Sequence, residues 1–175
     1  MAAIATPRLL LRVPQPEDAA ALAALMTAEV SRWLASWPHP FSVAMARQRI
    51  MDASAAMREG RGIFRLVAAR DGDTVMGWAG IVLAGGTPRG GSLGYWLGTP
   101  FHGRGYIGEA LPPFVRAARD VLRLERLEAG VQPDNAASVA VLQRIGMTFA
   151  EERVEFIPAR NRMERTAFYA LLFPA

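Results

Sequence analysis

Residues 94–108 read GYWLGTPFHGRGYIG, a short apolar run followed by a segment with three closely spaced glycines. The apolar run predicts a β-strand, and the segment 103–108 predicts the loop that precedes a helix. Glycine lets the backbone approach a ligand closely, and the free N–H groups of a helix N-terminus attract anionic oxygens. Arg104 adds a permanent charge with a forked set of donors. The segment therefore predicts a phosphate-binding loop, unless its glycines only form a tight turn.

The same glycines match the G-x-G-x-x-G spacing of a dinucleotide-binding loop, so a nicotinamide-dependent oxidoreductase is an alternative. Glu128 lies at the distance from Gly108 that this fingerprint requires of its acidic residue. In that fold, however, the first glycine ends the strand, whereas residues 98–102 separate the predicted strand from Gly103 here. The strand patterns that follow are antiparallel in character. The sequence therefore disfavours the oxidoreductase.

Residues 131–138, VQPDNAAS, form a second junction between a predicted strand and a helix. Asn135 is the predicted N-cap, and Ser138 lies three residues later beside the free N–H groups of the first turn. A plain capping role explains both residues. In α/β units, such junctions lie at one end of the sheet, where ligands bind. We therefore expect the loop 103–108 to lie beside Asn135 and Ser138.

Hydrophobic periodicity predicts one α+β domain over residues 1–175, in the order β-α-α-β-β-β-α-β-α-β-β. Asp71-Gly72 marks a tight hairpin. The predicted strands are residues 8–13, 63–69, 75–83, 92–97, 126–131, 148–156 and 165–173. The predicted helices are residues 16–27, the segment between the N-cap Ser42 and Gly60, the segment after the glycine loop through Leu122, and residues 135–145.

Composition excludes several classes of function. The chain has 175 residues, 51% hydrophobic and 21% charged, as in an ordinary globular domain. It has no cysteine and only two histidines, His39 and His102, so a thiolate or histidine-rich metal centre is excluded. All 20 basic residues are arginines, and they are scattered, which argues against direct nucleic-acid binding. No apolar run predicts a membrane span or a signal peptide, so we expect a cytoplasmic protein without metal or membrane partners.

Several stretches, taken in order, resemble the GNAT acyltransferase superfamily. They are GYWLG at 94–98, HGRGYIGEAL at 102–111, NAAS at 135–138 and LQRIGM at 142–147. The opening TPRLLLR at 6–12 and PEDA at 16–19 are similar to the RimJ/RimL-like branch of ribosomal-protein N-terminal acetyltransferases. The resemblance implies a single GNAT-like α+β domain, with a mixed, mostly antiparallel sheet of about seven strands flanked by about four helices. It also implies an acetyl-CoA-dependent N-acetyltransferase that needs no metal.

The resemblance implies that acetyl-CoA binds where the two junctions meet. Backbone amides of the glycine loop would hold its pyrophosphate, and a strand edge and Asn135 would bond its pantetheine arm. In the loop only Gly105 keeps the family's strict residue type, whereas His102 and Ile107 depart from it. The implied acetyl-CoA-binding residues are Tyr95, Trp96, Leu97, His102, Gly103, Arg104, Gly105, Tyr106, Ile107, Gly108, Asn135 and Ser138.

The resemblance also implies how the leaving thiolate is protonated. Many family members carry a tyrosine seven positions after the asparagine, where this chain has Leu142. In the RimL-like branch a serine at the position of Ser138 acts as general acid; a capping role alone is the alternative. The strand 92–97 lacks the acidic base of some members, so His39 and Glu29 are the candidates that would assist deprotonation of the amine.

The family builds its acceptor cleft between the first two helices, where Trp33, Trp37, His39 and Phe41 lie. These residues would contact the acceptor, or the tryptophans would pack in a satellite core. The implied acceptor is a protein N-terminus or a small molecule with an amine, and the absence of an acidic base on the strand favours an α-amine or another weakly basic amine. A non-catalytic acyl-CoA-binding module of the same fold is the alternative, and a homodimer stays open.

Overall fold

The frame of the protein is an eight-stranded sheet, seen in a computed structural model that describes residues 2–84 and 89–174. The strands are β1 (Ile4–Ala5), β2 (Leu9–Arg12), β3 (Gly62–Ala69), β4 (Val75–Leu83), β5 (Gly90–Leu97), β6 (Arg126–Val131), β7 (Thr148–Ile157) and β8 (Arg162–Leu172). They are ordered β1-β2-β3-β4-β5-β6-β8-β7 across the sheet.

Five α-helices occur in the described residues: α1 (Ala19–Leu25), α2 (Ala28–Ser31), α3 (Val43–Arg58), α4 (Tyr106–Leu122) and α5 (Ala136–Arg144). Single turns of 3-10 helix precede α1 and follow β5. Hydroxyl caps explain two of the starts, because Ser42 accepts a hydrogen bond from the N–H of Met45 and Thr27 accepts one from the N–H of Val30.

Among the strands of the described residues, one neighbouring pair is parallel, β5 with β6, and it opens at one end. The pairing covers three residues and ends with Ser92 opposite Glu128. Beyond this point β5 continues to Leu97 beside β4 alone, and β6 continues to Val131 beside β8 alone. The two strands therefore leave a gap between their C-terminal ends, which we call the β5–β6 gap.

Helices cover both faces of the sheet, and each face has its own core. The core under α4 and α5 includes Leu111, Phe114 and Leu142 from the helices, with Ile81, Leu93 and Leu127 from the sheet. The core under α1 and α3 is rich in tryptophan, with Leu22 and Ile50 beside Trp37, Trp78 and Trp96. Leu111, Phe114, Val115 and Ala118 form a buried apolar stripe along α4, which explains why this helix docks on the sheet.

The predicted α+β class and the mixed, mostly antiparallel sheet are confirmed, with eight strands and five helices among the described residues where seven and four were expected. The strand β1 and the helix α2, two and four residues long, were not predicted, because elements this short show no hydrophobic period. The predicted helix 16–27 is divided. Its last residue, Thr27, caps α2 instead of continuing α1.

In the part of the chain that the structure describes, no helix has the length and apolar character that a bilayer crossing requires.

Asp18 is a buried carboxylate that joins the end of β2 to the turn before α1. Its oxygens accept hydrogen bonds from Arg12 Nη1 and Nη2 at 2.8 and 2.7 Å, and from the N–H of Gln15 at 2.7 Å. Burial by itself raises the pKa of Asp18, but these bonds lower it more, and the pKa lies below its ordinary value. Its stabilisation of the fold is therefore present above the unfolded pKa and is lost as the pH falls through the folded pKa.

We expect Asp18→Asn to lower the free energy of unfolding by about 1–3 kcal/mol near neutral pH, because Arg12 loses one of its two carboxylate partners. Urea unfolding at about pH 7 and about pH 2.5 should show the difference shrinking in acid. Glu17→Gln, a change at an exposed neighbour, is the control. A difference that does not depend on pH would contradict this role of the charge.

Candidate active site

The β5–β6 gap leaves one edge of β5 without a strand partner beyond Ser92. The N–H of Gly98 bonds to the carbonyl of Met76 at 2.9 Å, and in an antiparallel pair such bonds recur at every second residue. The intervening residues, Tyr95 and Leu97, therefore turn their backbone groups toward the gap. An extended ligand can pair with this edge as an added strand would.

Trp96 does not belong to this edge, although the sequence analysis placed it there. It lies opposite Trp78 of β4, and the same alternation turns its backbone groups toward β4. Its side chain is buried, with 5% exposed, in the core on the other face of the sheet. The register thus corrects the expectation that Trp96 pairs with an extended ligand.

His102 ties the glycine loop back to this strand. Its Nε2 lies 2.8 Å from the carbonyl oxygen of Leu97. A carbonyl oxygen only accepts, so the proton is on Nε2. This bond occupies the carbonyl of Leu97. Of the strand residues predicted to bind a ligand through their backbone, Tyr95 is therefore the one whose N–H and C=O both face the gap and remain available.

The glycine loop turns sharply into the start of α4. Gly103 and Gly105 have φ angles of +71° and +75°, in the left-handed region that favours glycine. Gly105 is the N-cap of α4, and its carbonyl accepts the first helical bond, from the N–H of Glu109 at 3.1 Å. The N–H groups of residues 106–108 therefore have no partner within the helix. Apart from its own chain neighbours, no described residue has an atom within 4 Å of where a Cβ would stand on Gly103, so the loop is open on that side.

A brace from the N-terminal segment holds this loop, formed by Thr6, Arg8 and Glu109. Glu109 Oε1 accepts hydrogen bonds from Thr6 Oγ1 at 2.5 Å and from the N–H of Arg8 at 2.9 Å, while Oε2 pairs with Arg8 Nε at 2.6 Å. Arg8 also donates from Nη1 to the carbonyl of Arg104 at 3.0 Å and lies 4.5 Å over the ring of Tyr106. We call this set the Arg8 brace.

The Arg8 brace was not predicted from the sequence. Burial raises the pKa of Glu109, but the bonds from Thr6 and Arg8 outweigh it and hold the pKa below its ordinary value. The carboxylate is thus charged when it orients Arg8. No signal in the sequence reveals the brace, since its partners are about a hundred positions apart.

The second junction lies across the gap from β5. Asn135 caps α5 as predicted, and its Oδ1 accepts a hydrogen bond from the N–H of Ser138 at 3.1 Å. Tyr95 reaches over from β5 and places its hydroxyl 2.7 Å from Ser138 Oγ and 3.3 Å from the Ser138 carbonyl oxygen. Burial raises the pKa of Tyr95 to about 12, against a smaller lowering by the Ser138 bond. The phenol is therefore neutral near pH 7.

Leu142, where many family members have a tyrosine, is buried in the core with 1% of its surface exposed. The hydroxyls that the described residues bring to this end of the gap are those of Ser138 and Tyr95.

On the opposite face of the sheet, the predicted cleft aromatics divide into two groups. Trp37 and Phe41 are buried, and Trp37 contacts Trp78 and Trp96 edge to face at centroid distances of 5.5 and 5.1 Å. This burial favours the alternative of a satellite core for these two residues, and their contact with an acceptor stays a prediction. Trp33 is only half-buried, with Arg32 4.6 Å over its ring.

His39 and Glu29 are exposed, and their side chains contact a backbone carbonyl and a threonine hydroxyl, respectively. His39 Nδ1 lies 3.1 Å from the carbonyl of Met26, and Glu29 accepts a hydrogen bond from Thr99 Oγ1 at 3.3 Å. Neither contact brings these residues to Ser138. Their predicted help in deprotonating an amine stays a prediction.

A second set of long-range contacts fixes the segment around Trp33. Gln132, which directly follows β6, donates from Nε2 to the carbonyl of Arg32 and to Glu164 Oε2, both at 3.0 Å. Arg160 pairs with Glu164 at 2.7 Å and donates to the carbonyl of Leu34 at 2.9 Å. The Arg160 bond lowers the pKa of Glu164 to about 2, so this carboxylate is charged. The sequence analysis did not identify these residues.

The site as a whole suits one kind of ligand. It offers an anion-binding helix start, a free strand edge and, at the far end of the gap, a pair of hydroxyls. These features, in this order along the gap, fit a long molecule with phosphates at one end and a reactive group at the other. Among the described residues, no group of three His, Asp or Glu side chains is placed to hold a metal ion.

Comparisons with known proteins agree with this geometry. Residues 8–148 match the family described as "Acetyltransferase (GNAT) domain". The chain is 27% identical to the uncharacterized N-acetyltransferase p20 of Bacillus licheniformis, over 98% of this chain and 97% of the relative.

Two solved structures are similar in fold. Mycobacterium smegmatis RimJ, in complex with CoA-disulfide, superposes with a TM-score of 0.82 at 23% identity, covering 94% of this chain and 81% of that one. The ribosomal-protein-S5-alanine acetyltransferase of Vibrio fischeri superposes with a TM-score of 0.84 at 16% identity, covering 97% and 96%.

The family match spans most of the chain, including the glycine loop, the β5–β6 gap and the capped start of α5. The protein belongs to the GNAT acetyltransferase family.

Proposed function

We propose that this acetyltransferase moves the acetyl group of acetyl-CoA directly onto a primary amine, favouring an α-amine, within a ternary complex. The observation that carries the proposal is the Ser138 hydroxyl at the start of α5, which contacts Tyr95 of β5 beside the β5–β6 gap; the open glycine loop that follows β5 supports it. The chain has no cysteine, and the described site shows no Ser–His–acid arrangement. Direct attack therefore needs no acyl-enzyme.

The donor is held by backbone more than by side chains. The N–H groups of residues 106–108 and the charge of Arg104 face the pyrophosphate, and the Arg8 brace keeps the loop in place. The pantetheine arm pairs with the N–H and C=O of Tyr95, and the Asn135 amide group, whose oxygen caps α5, has its NH₂ left for the same arm. The departures at His102 and Ile107 do not impair this binding, because backbone amides make it.

The chemical step needs a proton for the sulfur and a neutral amine. As the amine attacks the thioester carbonyl, the C–S bond breaks, and Ser138 is the hydroxyl placed to give its proton to the sulfur. An α-amine has a pKa of about 7.7–8.0 against about 10.4 for lysine, so it is neutral often enough to react with water as the proton carrier.

The acceptor comes from the face of Trp33 and His39. The side chains of both are accessible there, unlike those of Trp37 and Phe41. The Vibrio fischeri protein is described as acting on an alanine of ribosomal protein S5. By analogy we propose a protein or peptide N-terminus for this chain, in line with the RimJ/RimL-like resemblance.

A GNAT-fold module that binds acyl-CoA without turnover is the second candidate. The buried Leu142 in place of a tyrosine acid favours it. The two candidates predict different results with a panel of amines. An enzyme releases CoA faster when an acceptor amine is added, whereas a binding module does not.

We expect peptides with a free N-terminus to stimulate release of CoA thiol from acetyl-CoA more than the same peptides with a blocked N-terminus and a lysine. The reason is the lower pKa of the α-amine. Thiol release near neutral pH measures it. Tight CoA binding with no stimulation by any amine would favour the non-catalytic module.

We expect Ser138→Ala to lower kcat by about 10–100-fold and to change the KM for acetyl-CoA by less than about threefold, because the hydroxyl acts on the leaving sulfur. Steady-state kinetics measure both constants. Ser54→Ala, on α3 and away from the gap, is the control. An unchanged kcat would leave Ser138 with a capping role alone.

We expect Arg8→Ala to weaken CoA binding about tenfold, or about 1.4 kcal/mol, since the loop loses its brace and a nearby positive charge. Calorimetric titration with CoA measures it, and Arg61→Ala, at an exposed arginine paired with Glu59, is the control. Equal affinities for wild type and Arg8→Ala would contradict the positioning role of the brace.

A further inference from the structure

Tyr95 has a side chain that the proposed reaction has not yet used. Its backbone faces the β5–β6 gap, and its ring crosses toward α5 on the face of α4 and α5. The phenol is one of three tyrosines in the chain and the one that contacts the start of α5. Its contact is with Ser138, the proposed proton donor.

The contact between the two hydroxyls allows either of them to donate, so the direction of the hydrogen bond is inferred from donor strength and from distance. Tyr95 Oη lies 2.7 Å from Ser138 Oγ and 3.3 Å from the Ser138 carbonyl, and both of these oxygens can accept. A phenol is a better donor than an aliphatic alcohol, since its pKa is nearer neutrality. The phenol has one hydrogen, and the shorter of its two contacts, 2.7 Å against 3.3 Å, assigns that hydrogen to Ser138 Oγ, with the Ser138 carbonyl as the weaker, secondary acceptor.

This direction decides where the Ser138 hydrogen points. A serine hydroxyl has one hydrogen and two lone pairs. With one lone pair taken by Tyr95, the hydrogen turns away from the phenol, and it is free to enter the gap. The N–H of Ser138 is held by Asn135, so the backbone beneath the hydroxyl is fixed as well.

We propose that Tyr95 is a positioning residue for the reaction: it donates a hydrogen bond to Ser138 Oγ and thereby directs the Ser138 O–H at the leaving sulfur. This inference rests on the proposed function of the site. A chain of hydrogen bonds also polarises its members, so the Tyr95 bond makes Ser138 a better donor.

The proton balance closes through solvent. The C–S bond breaks and its electron pair stays on sulfur, which takes the Ser138 hydroxyl proton and becomes the CoA thiol. The bond from Tyr95 stabilises the oxygen of Ser138 until that oxygen regains a proton. The proton lost by the attacking amine, carried by water, replaces it. Tyr95 itself stays protonated, as its pKa of about 12 permits.

A double-mutant cycle tests whether Tyr95 acts through Ser138. Tyr95→Phe keeps the ring and removes the hydroxyl, and we expect it to lower kcat about three- to tenfold with the KM for acetyl-CoA nearly unchanged. In the Ser138→Ala background the same change should have no further effect. Tyr169→Phe, which removes a phenol from the same core, is the control and should leave kcat unchanged.

Two outcomes of the cycle overturn the proposal. One is a kcat for Tyr95→Phe equal to that of wild type. The other is an equal loss on adding Tyr95→Phe to wild type and to Ser138→Ala, because Tyr95 would then act independently of Ser138. Thermal unfolding of each variant shows whether a loss reflects damage to the fold.

A binding measurement tests the role of Tyr95 even if the wild type transfers no acetyl group. In that case the proposed function is wrong, while the inference about Tyr95 is still tested separately. A hydrogen bond from Ser138 favours the thiolate of CoA, so the affinity for CoA should rise as the pH passes about 8.5 relative to the affinity for desulfo-CoA. Tyr95→Phe should reduce this rise. Identical profiles for wild type and Tyr95→Phe overturn the proposal.

Discussion

The parallel pairing of β5 with β6 is the constraint on which the rest of the site depends. Parallel neighbours run in the same direction, so their C-terminal ends lie together, and the connection between them must be a crossover, here α4. Both α4 and α5 therefore begin at the same end of the sheet. Because the pairing stops at Ser92 and Glu128, the strands separate just where these helices start. One topological feature supplies the helix termini, the free edge and the space between them.

Contacts between distant parts of the chain then set the fine geometry of this site. The ion pair of Arg8 with Glu109 is largely exposed on the arginine side, at 48%, and a pair of this kind adds little to stability. The pair instead positions the glycine loop, because Arg8 also donates a hydrogen bond to the Arg104 carbonyl and lies over the ring of Tyr106. The contacts of Gln132 and Glu164 do the same for the segment of Trp33. Both sets join the two ends of the chain to its middle.

The two faces of the sheet carry different groups of residues. Tyr95 and Ser138 belong to the face of α4 and α5, whereas the tryptophan cluster fills the other face. Alternation along β5 produces this division, because neighbouring residues of a strand point to opposite faces. Tyr95 therefore contacts the helix start while Trp96 packs with Trp37 and Trp78. A shift of one residue in the register would exchange them.

The sequence by itself determined the seven longer strands, the long helices, the capped start at Asn135 and the position of the glycine loop, because these follow from local periodicity, caps and glycine chemistry. Tertiary structure alone decided that Trp37 and Phe41 are core and that Trp96 faces β4, since burial and register depend on which strands become neighbours. It also decided the contact of Tyr95 with Ser138. These residues are 43 positions apart, and no local pattern links them until β5 and α5 meet across the gap.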